Sequence, residues 1–261
     1  MDAYDKLARF YDLEHADLTA DLIFYLHFAR QAGGPVLEVG CGTGRLMVPL
    51  VEAGIKTTGI DTSSAMLSLA RRKVGDQAQL IEGDMRTVPL PDHYALVIIS
   101  INTFMHLLTT ADQLAALANL ARHLAPGGRL IIDLPAGDEL SYQDTDARLT
   151  LEQTLFDPDT HHRIIKLVAC RIDWATQRQE ITYIYDELLE SGEVRRVVVP
   201  MTLRHVFRYE LMLLLEKAGY NVEALYSDYD LSPYGDGGPR MIAVARRDDK
   251  QNSANEPSAG A

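Results

Sequence analysis

Hydrophobic positions along the first third of the chain change their period several times. Leu18, Leu22, Tyr25, Leu26 and Ala29 recur at helical spacing, so residues 1–30 read as helical. Gly33-Gly34-Pro35 interrupts them, and the apolar run 36–39 reads as a short strand that ends in glycines. A helix over 45–53, closed by Gly54, leads to a second strand over 57–60 that ends at Asp61. Ser63 or Ser64 can cap a helix over 63–74. A third strand follows over 78–82. Residues 94–100 are apolar without alternation, the mark of a strand covered on both faces. An Ala/Leu-rich helix over 111–124 and the turn Pro126-Gly127-Gly128 lead to a fifth strand over 129–134. Strands that alternate with helices predict a parallel sheet with right-handed crossovers. Such sheets bind ligands at the carboxyl ends of their strands, where the strand order reverses.

After Asp144 the texture is different. β-Branched, aromatic and charged residues alternate over 149–156, 162–174, 180–190 and 194–204, with turn-like breaks between them. This predicts an antiparallel meander inserted at about 148–206. A helix over 209–218 and strands over 222–227 and 240–246 resume the first pattern, and their short connection suits an antiparallel hairpin at the sheet edge. The expected organisation is one α/β domain over 1–247 carrying the insertion. A polar, small-residue tail over 248–261 reads as disordered.

Composition narrows the function classes. The 261 residues carry a formal net charge of −12, and Arg and Lys are scattered, so the basic stripe of a nucleic-acid groove is missing. No run approaches the ~20 apolar residues that span a bilayer. The opening MDAYDKLARFYD has no basic region followed by an apolar core, which makes a cytoplasmic location the expectation. Two cysteines, Cys41 and Cys170, are too few for a disulfide framework and match no metal-site spacing, so no metal is expected.

The candidate chemistry begins at Gly40, Gly42 and Gly44, between the first strand and a helix. Glycines there let a ligand approach the backbone, next to the free N–H groups of a helix start. Their spacing discriminates among ligands. A dinucleotide fingerprint needs G-x-G-x-x-G, but the sixth position is Arg45 or Met47. A phosphate-binding Walker loop needs Gly-Lys-Ser/Thr, but Gly44 precedes Arg45-Leu46.

The segment VLEVGCGTG, with Glu38 on the strand, resembles motif I of class I S-adenosylmethionine-dependent methyltransferases. Asp61 is similar to the family's acidic residue that grips the ribose hydroxyls. A carboxylate can accept both hydrogen bonds of a cis-diol. Asp84-Met85 resembles the pair that holds adenine, and Leu124-Ala125-Pro126-Gly127-Gly128 matches the family's L-x-P-G-G turn. The resemblance covers 36–134, with a weaker match over 209–246. It implies a Rossmann-like fold whose seven-stranded, mostly parallel sheet has helices on both faces, with S-adenosyl-L-methionine as cofactor. The cofactor-binding set it implies is Tyr11, Glu38, Gly40, Gly42, Gly44, Asp61, Thr62, Asp84, Met85 and Ser100.

Methyl transfer from a sulfonium is an in-line displacement of an already activated group, so the protein mainly aligns the partners in a dry site. A base is needed only if the acceptor arrives protonated. His106, in the segment after strand four, is the best candidate because imidazole titrates near neutral pH. Asn102 and His106 within Asn-x-Phe-x-His-Leu, the pair Tyr11-Asp12 and the β-rich insertion are similar to small-molecule N-methyltransferases, including those that dimethylate nucleotide-linked amino sugars. In that subgroup a histidine at this place is a proposed base, and N-terminal tyrosines, here Tyr4 and Tyr11, cover the cofactor. The expected acceptor is a small molecule, an amine nitrogen slightly ahead of a hydroxyl. Asn102, Trp174, Tyr183 and Tyr185 are the candidates to contact it, with Arg171 and Arg204 near them. Each has a plainer alternative in packing, turn or solvent-facing roles, and the meander could instead join two copies of the chain as a homodimer. Two other functions stay open on sequence alone: a non-catalytic S-adenosylmethionine-binding module and a nicotinamide oxidoreductase.

Overall fold

A computed structural model describes residues 3–137 and 146–247. The tail over 248–261, read above as disordered, lies outside the described residues. Seven strands form one sheet: β1 (Val36–Val39), β2 (Thr57–Asp61), β3 (Gln79–Glu82), β4 (Tyr94–Ile99), β5 (Leu124–Pro135), β10 (Tyr220–Tyr226) and β11 (Arg240–Arg247). Their order is β10-β11-β5-β4-β1-β2-β3. β1 to β5 pair in parallel, and β11 runs antiparallel to both β5 and β10. This is the expected seven-stranded, mostly parallel Rossmann-like sheet. Its order reverses between β1 and β4, so a crevice opens beyond the carboxyl ends of those two strands.

The apolar strands lack alternation because both faces are covered. Leu37, Val39, Val97, Ile99, Leu130 and Ile132 pack under α5 (Thr110–His123) and α6 (Arg208–Lys217). Val36, Leu96, Ile98, Ile131 and Ile242 face Phe24, Tyr25, Phe28 and Ala29 of α2 (Ala20–Ala32). The edge strand β3 is only partly buried. Pro126-Gly127-Gly128 sits inside β5 as an irregularity, where the pairing with β4 shifts between Tyr94 and Leu96. Among the described residues, no helix is long and apolar enough to cross a membrane.

The N-terminal segment differs from the single helical stretch expected over 1–30. It forms two helices, α1 (Ala3–Glu14) and α2, with a break over 15–19. The reason is packing. α2 lies on the sheet, whereas Leu7, Ala8 and Phe10 of α1 enter a separate apolar cluster. That cluster combines Met66 of α4 (Ser64–Val74) with Leu155, Ile164, Tyr185 and Val199 of a second sheet.

The second sheet is a four-stranded antiparallel meander in the order β6-β7-β8-β9. Its strands are β6 (Thr150–Phe156), β7 (Arg163–Asp173), β8 (Arg178–Leu188) and β9 (Val194–Arg204). Cys170, Ile172, Ile181 and Leu203 join it to the core of the large sheet. α1 fastens the two sheets together. Toward the meander, Arg9 donates to both Glu187 oxygens at 2.9 and 2.5 Å, and the Tyr185 hydroxyl donates to Glu14. Toward the large sheet, Ser63 donates to Asp5 at 2.7 Å and Thr43 to Asp12 at 2.6 Å.

Phe10 is buried and stacks on Tyr185 with ring centroids 4.2 Å apart. Phe10→Ala should cost about 3–5 kcal/mol, read as a lower urea midpoint; a midpoint unchanged from wild type would show that α1 does not fasten the sheets.

Candidate active site

The crevice holds a cleft of about 280 Å³. Tyr4 and Tyr11 of α1 border it, with Gly40 and Gly42, Asp61 and Thr62, Gly83 to Arg86, and Ile101, Thr103, His106 and Leu107. Each of these segments follows a strand of the large sheet, apart from the two tyrosines on the covering helix.

Gly40 and Gly42 both take left-handed backbone, at φ 70° and 54°. A Cβ on Gly40 would stand 2.4 Å from Thr103 Cγ2, so the glycine loop and the segment after β4 touch without clearance. A Cβ on Gly42 would meet nothing closer than the Tyr11 ring at 4.0 Å, so this glycine keeps open space at the cleft wall. Asp61 holds the loop in place. One of its oxygens accepts from Gly42 N–H and the other from Ser63 N–H, each at 2.8 Å.

Glu38 lies two residues before Gly40 and is buried. One carboxyl oxygen meets the Ser100 hydroxyl at 3.4 Å, and the other has no partner among the described residues. Burial, above all, pushes its pKa up to about 8, while Arg45 opposes the shift. A buried oxygen left unsatisfied is costly until a donor arrives, and an ammonium would supply both the hydrogen bond and the opposite charge. Burial likewise pushes the Tyr11 phenol up to about 12, so it stays neutral.

Asp84 and Met85 border the cleft, but the Asp84 carboxylate is already engaged. Arg86 donates to it from Nε at 3.0 Å and Nη2 at 2.6 Å, and its Nη1 reaches Asp112 at 2.5 Å. The Arg86 guanidinium thereby holds the Asp84 carboxyl below its ordinary range. Sequence reading did not foresee this pairing.

A single 3₁₀ turn, Thr103–His106, follows β4. The Tyr4 hydroxyl lies 2.9 Å from His106 Nε2, and the two rings meet edge-on at 5.2 Å. The residues Asn102 and Met105 of the same segment border a second cavity of about 330 Å³, roofed by the meander through Glu152, Cys170, Gln179 and Tyr183 among others. Of the four expected acceptor contacts, Asn102 and Tyr183 therefore meet at one cavity. Trp174 does not: it is half exposed at the β7–β8 hairpin, beside Arg171 and away from both cavities. Tyr185 is buried against Phe10 and α1 and reaches neither. Arg204 is spent on Gln113, Gln177 and Glu210. Thr103, Glu152 and Gln179 were not singled out from sequence. Thr103 carried a signal, since it lies within the polar interruption after β4, whereas Glu152 and Gln179 depend on which meander face turns inward.

Residues 36–128 match the family described as "Methyltransferase domain". The cypemycin N-terminal methyltransferase of a Streptomyces species is 33% identical over 249 residues, 94% of this chain and 97% of that protein. The chain belongs to the S-adenosylmethionine-dependent methyltransferases. A further relative of this methyltransferase is the dTDP-3-amino-3,4,6-trideoxy-alpha-D-glucopyranose N,N-dimethyltransferase of Streptomyces venezuelae. It is 30% identical over 132 residues, 51% of this chain and 55% of that protein. Among solved structures, the CcbJ methyltransferase from Streptomyces caelestis aligns with TM-score 0.72 and 25% identity over 88% of each chain. The nicotinamide and non-catalytic alternatives give way to an enzyme whose cofactor is S-adenosylmethionine. The cleft has room for a ligand beside the glycine loop, since Gly42 leaves open space at its wall.

The methyltransferase should show a proton linked to cofactor binding. In the free protein Glu38, raised to about 8, is protonated at pH 6 and ionised above pH 8. A bound ammonium favours the ionised form, so binding lowers this pKa and releases a proton. Affinity for S-adenosylhomocysteine should then rise from pH 6 to 8, by up to about tenfold per unit. Calorimetry in buffers of different ionisation enthalpy reads the release, and Glu38→Gln should abolish it. A Kd independent of pH over this range would contradict the assignment.

Proposed function

We propose that this methyltransferase methylates an amine nitrogen of a small-molecule acceptor held between the Thr103–His106 turn and the meander, with His106 taking the amine's proton. The observation that carries the reading is the place of His106. It stands at the wall of the cleft against Tyr4, on a turn whose Met105, with the preceding Asn102, borders the second cavity. Supporting it, one relative is an N-terminal methyltransferase and another an N,N-dimethyltransferase of a nucleotide-linked amino sugar.

Gly40 and Gly42 would cradle the methionine part of the cofactor, Glu38 its ammonium and Asp61 its ribose hydroxyls. Thr62 would border the ribose and Met85 would line adenine, whereas Asp84, both of whose oxygens already accept from Arg86, would have to share one of them with the exocyclic amine. Ser100 steadies Glu38, and Tyr11 covers the cleft. When bound, S-adenosylmethionine would supply an activated methyl group, the amine lone pair forming the N–C bond as the C–S bond breaks and a neutral thioether is left. An alkylamine is mostly protonated at neutral pH and has no lone pair to attack with. His106 can accept that proton, and the Tyr4 hydroxyl fixes the ring that receives it. Asn102 and Tyr183 would contact the acceptor.

The test uses methyl-labelled donor with three probes: a nucleotide-linked amino sugar, a short peptide with a free N-terminus, and the sugar's hydroxyl counterpart. Label should appear on an amine probe and not on the hydroxyl sugar. Label on the hydroxyl probe alone would overturn the reading. With the amine that reacts, His106→Gln should lower kcat by about 10²- to 10⁴-fold while leaving donor affinity nearly unchanged. Full turnover by that variant at neutral pH would remove His106 as the base.

A further inference from the structure

The chain leaves β4 through an unusual turn. Ile101 and Asn102 both have left-handed backbone, at φ 28° and 61°, and neither is glycine. A β-branched residue is among the least suited to that region, so the surroundings must hold the turn. Its backbone is tied at three points. Asn102 N–H donates to the Asp133 carbonyl at 3.0 Å, Thr103 N–H to the Ser100 carbonyl at 3.1 Å, and Met105 N–H to the Asn102 carbonyl at 2.9 Å.

One side-chain tie comes from a distant strand. Arg240, the first residue of β11, donates from Nη2 to Asn102 Oδ1 at 2.9 Å. Its guanidinium is itself clamped by the fully buried Asp133, through Nε at 2.8 Å and Nη2 at 2.6 Å. The other Asp133 oxygen accepts from the hydroxyls of Tyr25 at 2.5 Å and Tyr229 at 2.9 Å. The fork is thus braced by β5, by α2 and by the β10–β11 connection, and it projects one N–H toward the turn. Anchoring β11 would not require this arrangement, because well-packed apolar groups often replace a buried ion pair at no loss of stability. An apolar residue could not supply the bond to Asn102.

We propose that Arg240 is a positioning residue for methyl transfer: acting through Asn102, it holds the left-handed turn that presents Thr103 and His106 to the cofactor cleft. Arg240 lines neither cavity, so its effect is indirect. Thr103 follows Asn102 and abuts Gly40 without clearance, while His106 ends the same single turn. A shift of Asn102 therefore moves the glycine-loop contact and the imidazole together. The inference rests on the reading of His106 above, but its test uses no acceptor, so the two can fail separately.

The test follows the His106 ring by NMR in protein labelled at histidine, its signal assigned by loss in His106→Gln, with S-adenosylhomocysteine affinity measured in parallel. Arg240→Lys keeps a charge against Asp133 but loses the planar fork that reaches Asn102. It should move the ring's titration midpoint by about half a unit or more and weaken S-adenosylhomocysteine roughly threefold to thirtyfold. Asn102→Ala should do the same. Asn102→Gly, which adopts positive φ freely, should return both readouts toward wild type, and adding Arg240→Lys to it should have little further effect. A folded Arg240→Lys protein with wild-type readouts would overturn the proposal. So would effects of Arg240→Lys and Asn102→Ala that simply add. If Arg240→Lys does not fold, the Ala and Gly variants of Asn102, which leave the Asp133–Arg240 pair intact, decide: equal readouts from the two would overturn the proposal.

Discussion

The Asp61 carboxylate is the brace on which the rest of the site depends. By accepting Gly42 N–H with one oxygen and Ser63 N–H with the other, it fixes the glycine loop against the start of α4. Ser63 then caps that helix through Met66 N–H at 3.2 Å and donates its own hydroxyl to Asp5 of α1. α1 in turn carries Tyr4 and Tyr11 over the cleft and locks to the meander through Arg9 and Glu14. One carboxylate thereby connects the floor of the cleft, its covering helix and the sheet that roofs the acceptor cavity. Closing a site in this way excludes water and keeps its polar groups pre-oriented.

The acidic excess of the chain takes on a sharper meaning in the fold. Several buried carboxylates are neutralised by arginine: Asp21 by Arg45, Asp133 by Arg240 and Glu187 by Arg9. Glu38 is buried with only a long contact to Ser100, and its second oxygen is unpartnered. The contrast is physical. A paired carboxylate stays ionised and builds structure, whereas an unpaired one in a dry place awaits a cation. That difference sets Glu38 apart from the carboxylates that are paired within the fold.

Much of the large sheet was legible because its signals are local. Strands covered on both faces read as continuous apolar runs, and Gly40, Asp61, Asp84 and His106 each follow a strand within a few residues. A seven-stranded, mostly parallel sheet could then be inferred from resemblance along 36–134 and, more weakly, along 209–246. The rest depends on contacts across the chain. Tyr183 and Tyr185 lie two apart on the same face of β8, and which of them borders the cavity turns on where along the strand α1 packs, from more than 150 residues earlier. Trp174 looked like an aromatic wall but falls at a hairpin tip, half exposed. The break over 15–19 follows from two different packing partners for α1 and α2, and neither partner is adjacent in sequence.

The central claim is that this cleft, held by Asp61, binds the methyl donor. The most direct measurement is thermal stabilisation by S-adenosylhomocysteine, on wild type and on Asp61→Ala, with NADH as the control ligand. The account predicts a saturable rise in Tm for the wild type with S-adenosylhomocysteine, none with NADH, and a much weaker response in Asp61→Ala. No shift for the wild type with S-adenosylhomocysteine, or an undiminished shift in the variant, would contradict it.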